Sequence, residues 1–210
     1  MRIVKLNING EITKYNLPTS WNEVSIGEYS KLMRELDSDD VSEIQLIIKS
    51  LEALLNIELG LISKVPIKQL KQAYSQLQEL TSTMPNIELN RVIEIKGIEY
   101  GIIPNFDELT LGEFVDLDNY LQDSWINLDK IFSVLYRPIL KRDGDDYIIE
   151  DYDLKSVKDR REVFKSNLSI DTCYGALVFF YLIGRKQLDN TLSSLEIESK
   201  SQNITKMSLQ

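Results

Sequence analysis

The chain has 210 residues, 43% of them hydrophobic, which is enough for one large core or two small ones. Its formal net charge of −9 disfavours non-specific contact with nucleic-acid phosphates. It has no histidine, which excludes Ser-His-Asp and Cys-His catalysis and the common His–Cys zinc sites, and a single cysteine, Cys173, which excludes an intramolecular disulfide.

The first residues, Met1 to Asn7, carry no apolar signal stretch, and the longest apolar run, 176–183, is too short to span a bilayer. A soluble protein made in the cytoplasm is the expectation. Residues 2–8 and 11–17 alternate and are β-prone, and Asn9-Gly10 between them is a strong hairpin signal. Pro18 ends this hairpin. A helix to about Leu36 follows, beginning at Ser25-Ile26-Gly27-Glu28. The Ser25 hydroxyl can accept from the third helical amide while Glu28 reaches back to the Ser25 amide, which is a capping box. Val24 and Tyr29 flank it as a hydrophobic staple. Gly27 sits where a helix former would be favoured, so a close approach by another backbone or a bulky side chain is expected there.

Asp37-Ser38-Asp39-Asp40 reads as a solvated acidic loop. It lacks the alternating ligands and placed glycine of a calcium loop. Ile44, Ile47, Ile48, Leu51, Leu54 and Leu55 then fall at helical spacing over 42–55. A short turn is expected near Leu59–Ile62. Pro66 opens a helix that carries Ile67, Leu70, Tyr74, Leu77 and Leu80 on one face. The polar stretch 81–86 is the best linker candidate.

The pattern then restarts. Residues 91–95 and 98–103 read as strands around Lys96-Gly97, Pro104 ends them, and Thr110-Leu111-Gly112-Glu113 is a second capping box with Leu109 and Phe114 as its staple. The two boxes lie about 85 residues apart, longer than solenoid repeats. We read a tandem duplication of a small α+β unit, mostly helical, over 1–86 and 87–192, with a polar tail at 193–210. A helix over 126–136 stands where 42–55 stands in the first unit. Residues 139–149 form an inserted hairpin with an Asp143-Gly144 turn. Its acidic residues, through Asp153, read as solvated; a metal-dependent hydrolase built on them is the least supported alternative. Residues 153–167 form a charged helix, Ser169 caps the next, and 172–183 is apolar nearly all round, with Gly175 and Ala176 suited to close packing. The tail is expected to be disordered unless a partner orders it.

No Gly-rich phosphate loop, Walker lysine or GxSxG elbow occurs, and Cys173 lies in an apolar run as an inert thiol would. The reading is of a protein that is not an enzyme and uses no cofactor or metal. Leu17-Pro18-Thr19-Ser20-Trp21-Asn22-Glu23-Val24-Ser25-Ile26-Gly27-Glu28-Tyr29, the acidic loop and helix 42–55 resemble small tailed-phage assembly proteins, namely tail assembly chaperones and T4-type baseplate-hub accessory proteins. Ile103 to Asp118 followed by Leu135-Tyr136-Arg137-Pro138 resembles a protein type of phages with crAss-like genomes. The resemblance covers about residues 17 to 140 and transfers no catalytic residue. It implies a virion structural or assembly role at the tail, baseplate or portal vertex, in the host cytoplasm during assembly or in the virion. The partners would be other phage structural proteins or further copies of the chain, with no nucleic acid or membrane contacted directly. Expected interface residues are Trp21, Tyr29, Phe106, Phe114, Phe179, Phe180 and Tyr181, the first four as pseudo-equivalent surfaces of the two units. An acidic regulatory adaptor or inhibitor of a host enzyme is the alternative.

Overall fold

Two residues suffice to reverse the chain at its start. Strands β1 (Arg2–Ile8) and β2 (Glu11–Leu17) pair antiparallel with Ile8 opposite Glu11. Asn9 and Gly10 turn between them at φ 55° and 94°, both positive as a type I′ hairpin requires. The computed structural model describes residues 1–36 and 42–182. A 3-10 turn, Trp21–Glu23, leads into α1 (Ile26–Leu36), then α2 (Glu43–Leu55), the single turn α3 (Leu59–Ile62) and α4 (Ile67–Thr81). The acidic loop 37–40 falls outside the described residues.

The second half repeats this order. Strands β3 (Val92–Ile95) and β4 (Ile98–Ile102) turn at Lys96–Gly97, again with positive φ at both positions. A 3-10 turn, Phe106–Glu108, leads into α5 (Leu111–Leu121) and α6 (Leu128–Leu135). Helices α1 and α5 are each 11 residues long. The halves diverge at β5 (Tyr136–Asp143) and β6 (Asp146–Ile149), followed by α7 (Leu154–Asn167) and a helix over 170–182, here α8. The class is α+β and mostly helical.

The inserted hairpin departs from its expected form. It begins at Tyr136, three residues before Ile139, because β5 follows α6 directly and pairs with β4, Tyr100 opposite Pro138. It therefore extends the second hairpin into one four-stranded sheet, β3-β4-β5-β6. Pro138 has no amide to donate, but its carbonyl accepts from Glu150 at 2.9 Å.

One hydrophobic core runs through both halves. Helix α6 is its centre: Leu128, Ile131, Phe132, Val134 and Leu135 are all fully buried, with the Tyr136 ring beside Phe132. Phe164 of α7 meets the edge of Tyr100 at 5.0 Å, joining helix layer to sheet. Aromatic pairs of this geometry add about 0.5–1.5 kcal/mol beyond their burial. The stretch read as a linker is pinned instead. The Trp21 indole donates to the Thr83 carbonyl at 3.1 Å, the Asn86 amide to Asp171 at 2.8 Å and the Asn90 side chain to the Thr172 carbonyl at 2.7 Å.

Helix α8 differs from the expected all-round apolar helix. It buries one face, Ile170, Cys173, Ala176 and Leu177, and leaves Tyr181 and Leu182 in solvent. Its expected end at Gly184 and the tail 193–210 fall outside the described residues. Among those described, no helix is long and apolar enough to cross a membrane.

Candidate partner-binding surface

Both expected capping boxes form. The Ser25 amide donates to Glu28 at 2.8 Å and the Glu28 amide to the Ser25 hydroxyl at 3.2 Å. The matching distances at Thr110 and Glu113 are 2.7 and 3.3 Å. A third box, Ser42 with Gln45, starts α2 and was legible as Ser-x-x-Gln. The close approaches expected at Gly27 and Gly112 are also present. A Cβ on Gly27 would stand 2.7 Å from the Lys165 carbonyl oxygen, and one on Gly112 would meet the Tyr152 ring at 3.0 Å.

Beyond these starts, α1 and α5 differ in what covers them. The backbone entering α1 is laced to the α7–α8 corner. The Ile26 amide donates to the Leu168 carbonyl and the Ile170 amide to the Val24 carbonyl, both at 2.9 Å, around a bridge between Ser25 and Ser169. Ile26, Tyr29 and Ser30 are buried as a result. Among the described residues no backbone bond of this kind reaches Leu109, Thr110 or Leu111 from another element. Leu111, Phe114 and Val115, at the places of Ile26, Tyr29 and Ser30, are 79%, 55% and 45% exposed. The two staple pairs therefore differ: Val24 and Tyr29 are both buried, whereas Phe114 stands in solvent while Leu109 packs on the core.

The seven expected interface residues divide accordingly. Trp21 and Tyr29 are core residues, buried edge to face at 5.6 Å, with Tyr29 in turn 5.8 Å from Trp125 and Trp125 stacked on Tyr174. They fasten α1 to α8 and to the α5–α6 connection and offer no open surface. Phe106 is half-buried between Phe179 at 5.9 Å and Phe180 at 5.5 Å, tying the start of α5 to α8. Phe114 and Tyr181 are exposed. The pseudo-equivalence of Trp21/Tyr29 and Phe106/Phe114 thus holds for position in the chain and not for surface. Leu111, Val115 and Leu182 join the exposed set without having been singled out.

Burial pushes the Tyr29 hydroxyl from 10.0 up to about 12, with Tyr174 adding to the effect. An acid whose folded pKa is raised stabilises the fold fully below pH 10, and that contribution is lost as pH climbs from 10 through about 12. Urea midpoints are expected to fall across that window, and Tyr29→Phe to make the fall shallower. An identical alkaline profile in wild type and variant would contradict this.

Charges sort by place. From Phe106 to Asp123 the chain carries Asp107, Glu108, Glu113, Asp116, Asp118 and Asp123 and no lysine or arginine. Glu113 alone among these is buried, paired at 2.6 Å with the buried Arg137, and Asp116 accepts from the Tyr152 hydroxyl. Of the remaining acids, Asp118 falls one turn beyond Val115 on the Leu111/Phe114/Val115 side of α5, and Asp107 and Glu108 precede the helix. The residues 64–75 carry Lys64, Lys68 and Lys71, all exposed, and no acid. Ile67, Lys68, Lys71, Gln72 and Ser75 line a shallow depression on α4.

The acidic residues of 143–153 take separate tasks. Asp143 and Asp146 pair across the hairpin turn, Glu150 meets the buried Arg160, and Asp153 accepts from the Ser156 amide at 2.8 Å to cap α7. Cys173 is fully buried, and burial raises its thiol well above the usual range, so its thiolate is disfavoured. The exposed surfaces are thus an apolar turn of α5 in an acidic stretch and, elsewhere, the lysines of α4. Comparison with protein-family models, curated proteins and solved structures finds no match.

Proposed function

We propose that this protein works by protein–protein contact, as a structural or assembly protein of a tailed bacteriophage acting at the tail, baseplate or portal vertex, and that its two hairpin-helix halves arose by duplication. The observation that carries the contact role is the α5 face. Leu111, Phe114 and Val115 lie on adjacent positions of one helix, all exposed, with acidic neighbours and Tyr181 and Leu182 as further exposed apolar side chains. Exposed apolar patches with a polar border mark interaction sites. The phage setting rests on the resemblance of residues 17 to 140. The acidic-adaptor alternative has less support, since α5 interleaves its carboxylates with exposed apolar side chains, and Glu113 is buried, where mimicry of nucleic acid would call for a continuous charged face.

Mass spectrometry of purified particles and pull-downs from infected cells test the proposal together. A fixed copy number in the particle identifies a component. Absence from the particle with capture of tail, baseplate or portal proteins identifies an assembly factor. A chain absent from particles that captures none of these proteins overturns the reading.

A further inference from the structure

We propose that the α5 face binds the α4 surface of a second copy of this chain, with Leu111, Phe114 and Val115 seated on Ile67 beside Lys68 and Lys71. The inference rests on reading the α5 face as a contact surface and adds the identity of what covers it. Within the molecule the first-turn face of α1 is covered by another helical layer, the α7–α8 corner, with Gly27 allowing the approach. Helix α5 has the same length and the same capping box, and its corresponding face is open.

Charge selects the occupant. The open face lies in a stretch, 106–123, with acids and no base, while 64–75 has bases and no acid; Lys71 faces Glu43 of α2 at 3.6 Å in an exposed contact, and among the described residues Lys64 and Lys68 face no carboxylate within 4 Å. The α4 surface also supplies apolar area. Ile67 is 49% exposed. Pairing α5 with α5 across a two-fold axis would set acid against acid. Pairing α5 with α4 sets carboxylates such as Asp118 against ammonium groups and places apolar side chains on apolar side chains. Electrostatic complementarity of this kind fixes partner and register more than it adds affinity. Because the two surfaces differ, each copy has one of each to offer, and the contact is heterologous: association continues into a ring or an open filament. Charges at such a border are screened by salt over about 8 Å at physiological ionic strength, so association is strongest at low salt.

Sedimentation velocity on the full chain tests this. The expected result is a weight-average mass that rises above 24.3 kDa with concentration and returns toward it in high salt. Phe114→Asp alone and Lys68→Glu/Lys71→Glu alone are each expected to stay monomeric with nearly unchanged melting curves, since all three positions are on the surface and the Lys71–Glu43 contact, at 3.6 Å between two exposed side chains, is weak. An equimolar mixture of the two variants is the decisive sample. Each variant keeps one intact surface, so the mixture is expected to double in mass and stop at a 1:1 dimer. A wild-type chain that remains monomeric up to its solubility limit overturns the inference. So does association that survives in either variant, or a mixture that forms no dimer. A monomer whose α5 first turn is protected from hydrogen exchange assigns the cover to this chain's own residues 183–210 and likewise overturns it. Failure here is separable from failure of the phage role. A monomeric chain that loses capture of tail or portal proteins on Phe114→Asp retains that role without self-pairing, and a self-associating chain that captures no phage protein does the reverse.

Discussion

Glu113→Gln is expected to destabilise the fold by about 3–5 kcal/mol, the usual cost of breaking a buried ion pair from one side. Glu113 is 3% exposed and does two jobs. One carboxylate oxygen accepts from the Thr110 amide at 2.7 Å and the Thr110 hydroxyl at 2.6 Å, closing the helix start. The other meets the Arg137 guanidinium at 2.6 Å. Arg137, in β5, is 6% exposed, and its Nε has no hydrogen-bond partner. Burial lowers its pKa, the Glu113 charge is the strongest opposing influence, and Asp151 adds a weaker one, so the guanidinium depends chiefly on Glu113. A glutamine keeps shape and an acceptor for the cap but leaves a buried cation without the carboxylate it is paired with.

Glu28→Gln is the control. Glu28 makes the same cap at Ser25, is only half-buried, and forms no ion pair among the described residues. Its replacement is expected to cost about 1 kcal/mol or less, as for losses at a helix cap. The difference between the two variants measures the ion pair apart from the cap. The double variant Glu113→Gln/Arg137→Met is expected to recover most of the loss, since removing both charges removes the unpaired one. Urea unfolding monitored by circular dichroism reads all three. Equal losses at Glu28 and Glu113 would show that the pair contributes little.

Glu113 also illustrates which features the sequence carried and which it did not. Its capping role is local, set by the three-residue step from Thr110, and was legible. Its partner Arg137 is brought to it only when β5 pairs with β4, a non-local event that no spacing announces. The hairpin turns at Asn9-Gly10 and Lys96-Gly97 were readable for the same reason as the caps: positive φ at consecutive residues has a narrow chemistry. Close approaches at Gly27, Gly112 and Gly175 could be expected from glycine in a helix, though not what approaches. The candidate surface was the least legible part. Ile26 and Leu111, or Tyr29 and Phe114, are interchangeable in pattern and opposite in exposure. The outcome is decided by residues 165–170, far along the chain, which lace onto one helix and leave the other open. Trp21 looked like an anchor for a partner because large aromatics serve both ends, core and interface.

Gly175→Ala is expected to cost about 2–3 kcal/mol, toward the upper part of the range for overpacking a close contact. A Cβ there would lie 2.0 Å from the Glu88 carbonyl oxygen, 2.4 Å from its carbon and 2.7 Å from the Ile87 oxygen. All three atoms are backbone, so no flexible side chain can swing aside. Helix α8 and the segment 86–90 must move apart. That separation strains a connected set of bonds: Asn86 amide to Asp171 and Asn90 side chain to the Thr172 carbonyl, with the buried Tyr136 hydroxyl donating to the Asn90 carbonyl at 2.5 Å. Alanine gains back about 1 kcal/mol of helix propensity over glycine, and the figure above is net of it. Gly60, in α3, is the contrast, because a Cβ there meets nothing within 4 Å. Gly60→Ala is expected to be neutral or slightly stabilising by the same propensity argument. In thermal melts the Gly175 loss corresponds to a drop of about 5–10 °C for a chain of this size. Hydrogen exchange should place the damage: amides of 86–90 lose protection before those of β4 and β5. A Gly175→Ala variant that melts with wild type, while 86–90 stays protected, would mean that this close approach yields at little cost and that α8 is held by Phe106 and its apolar face alone.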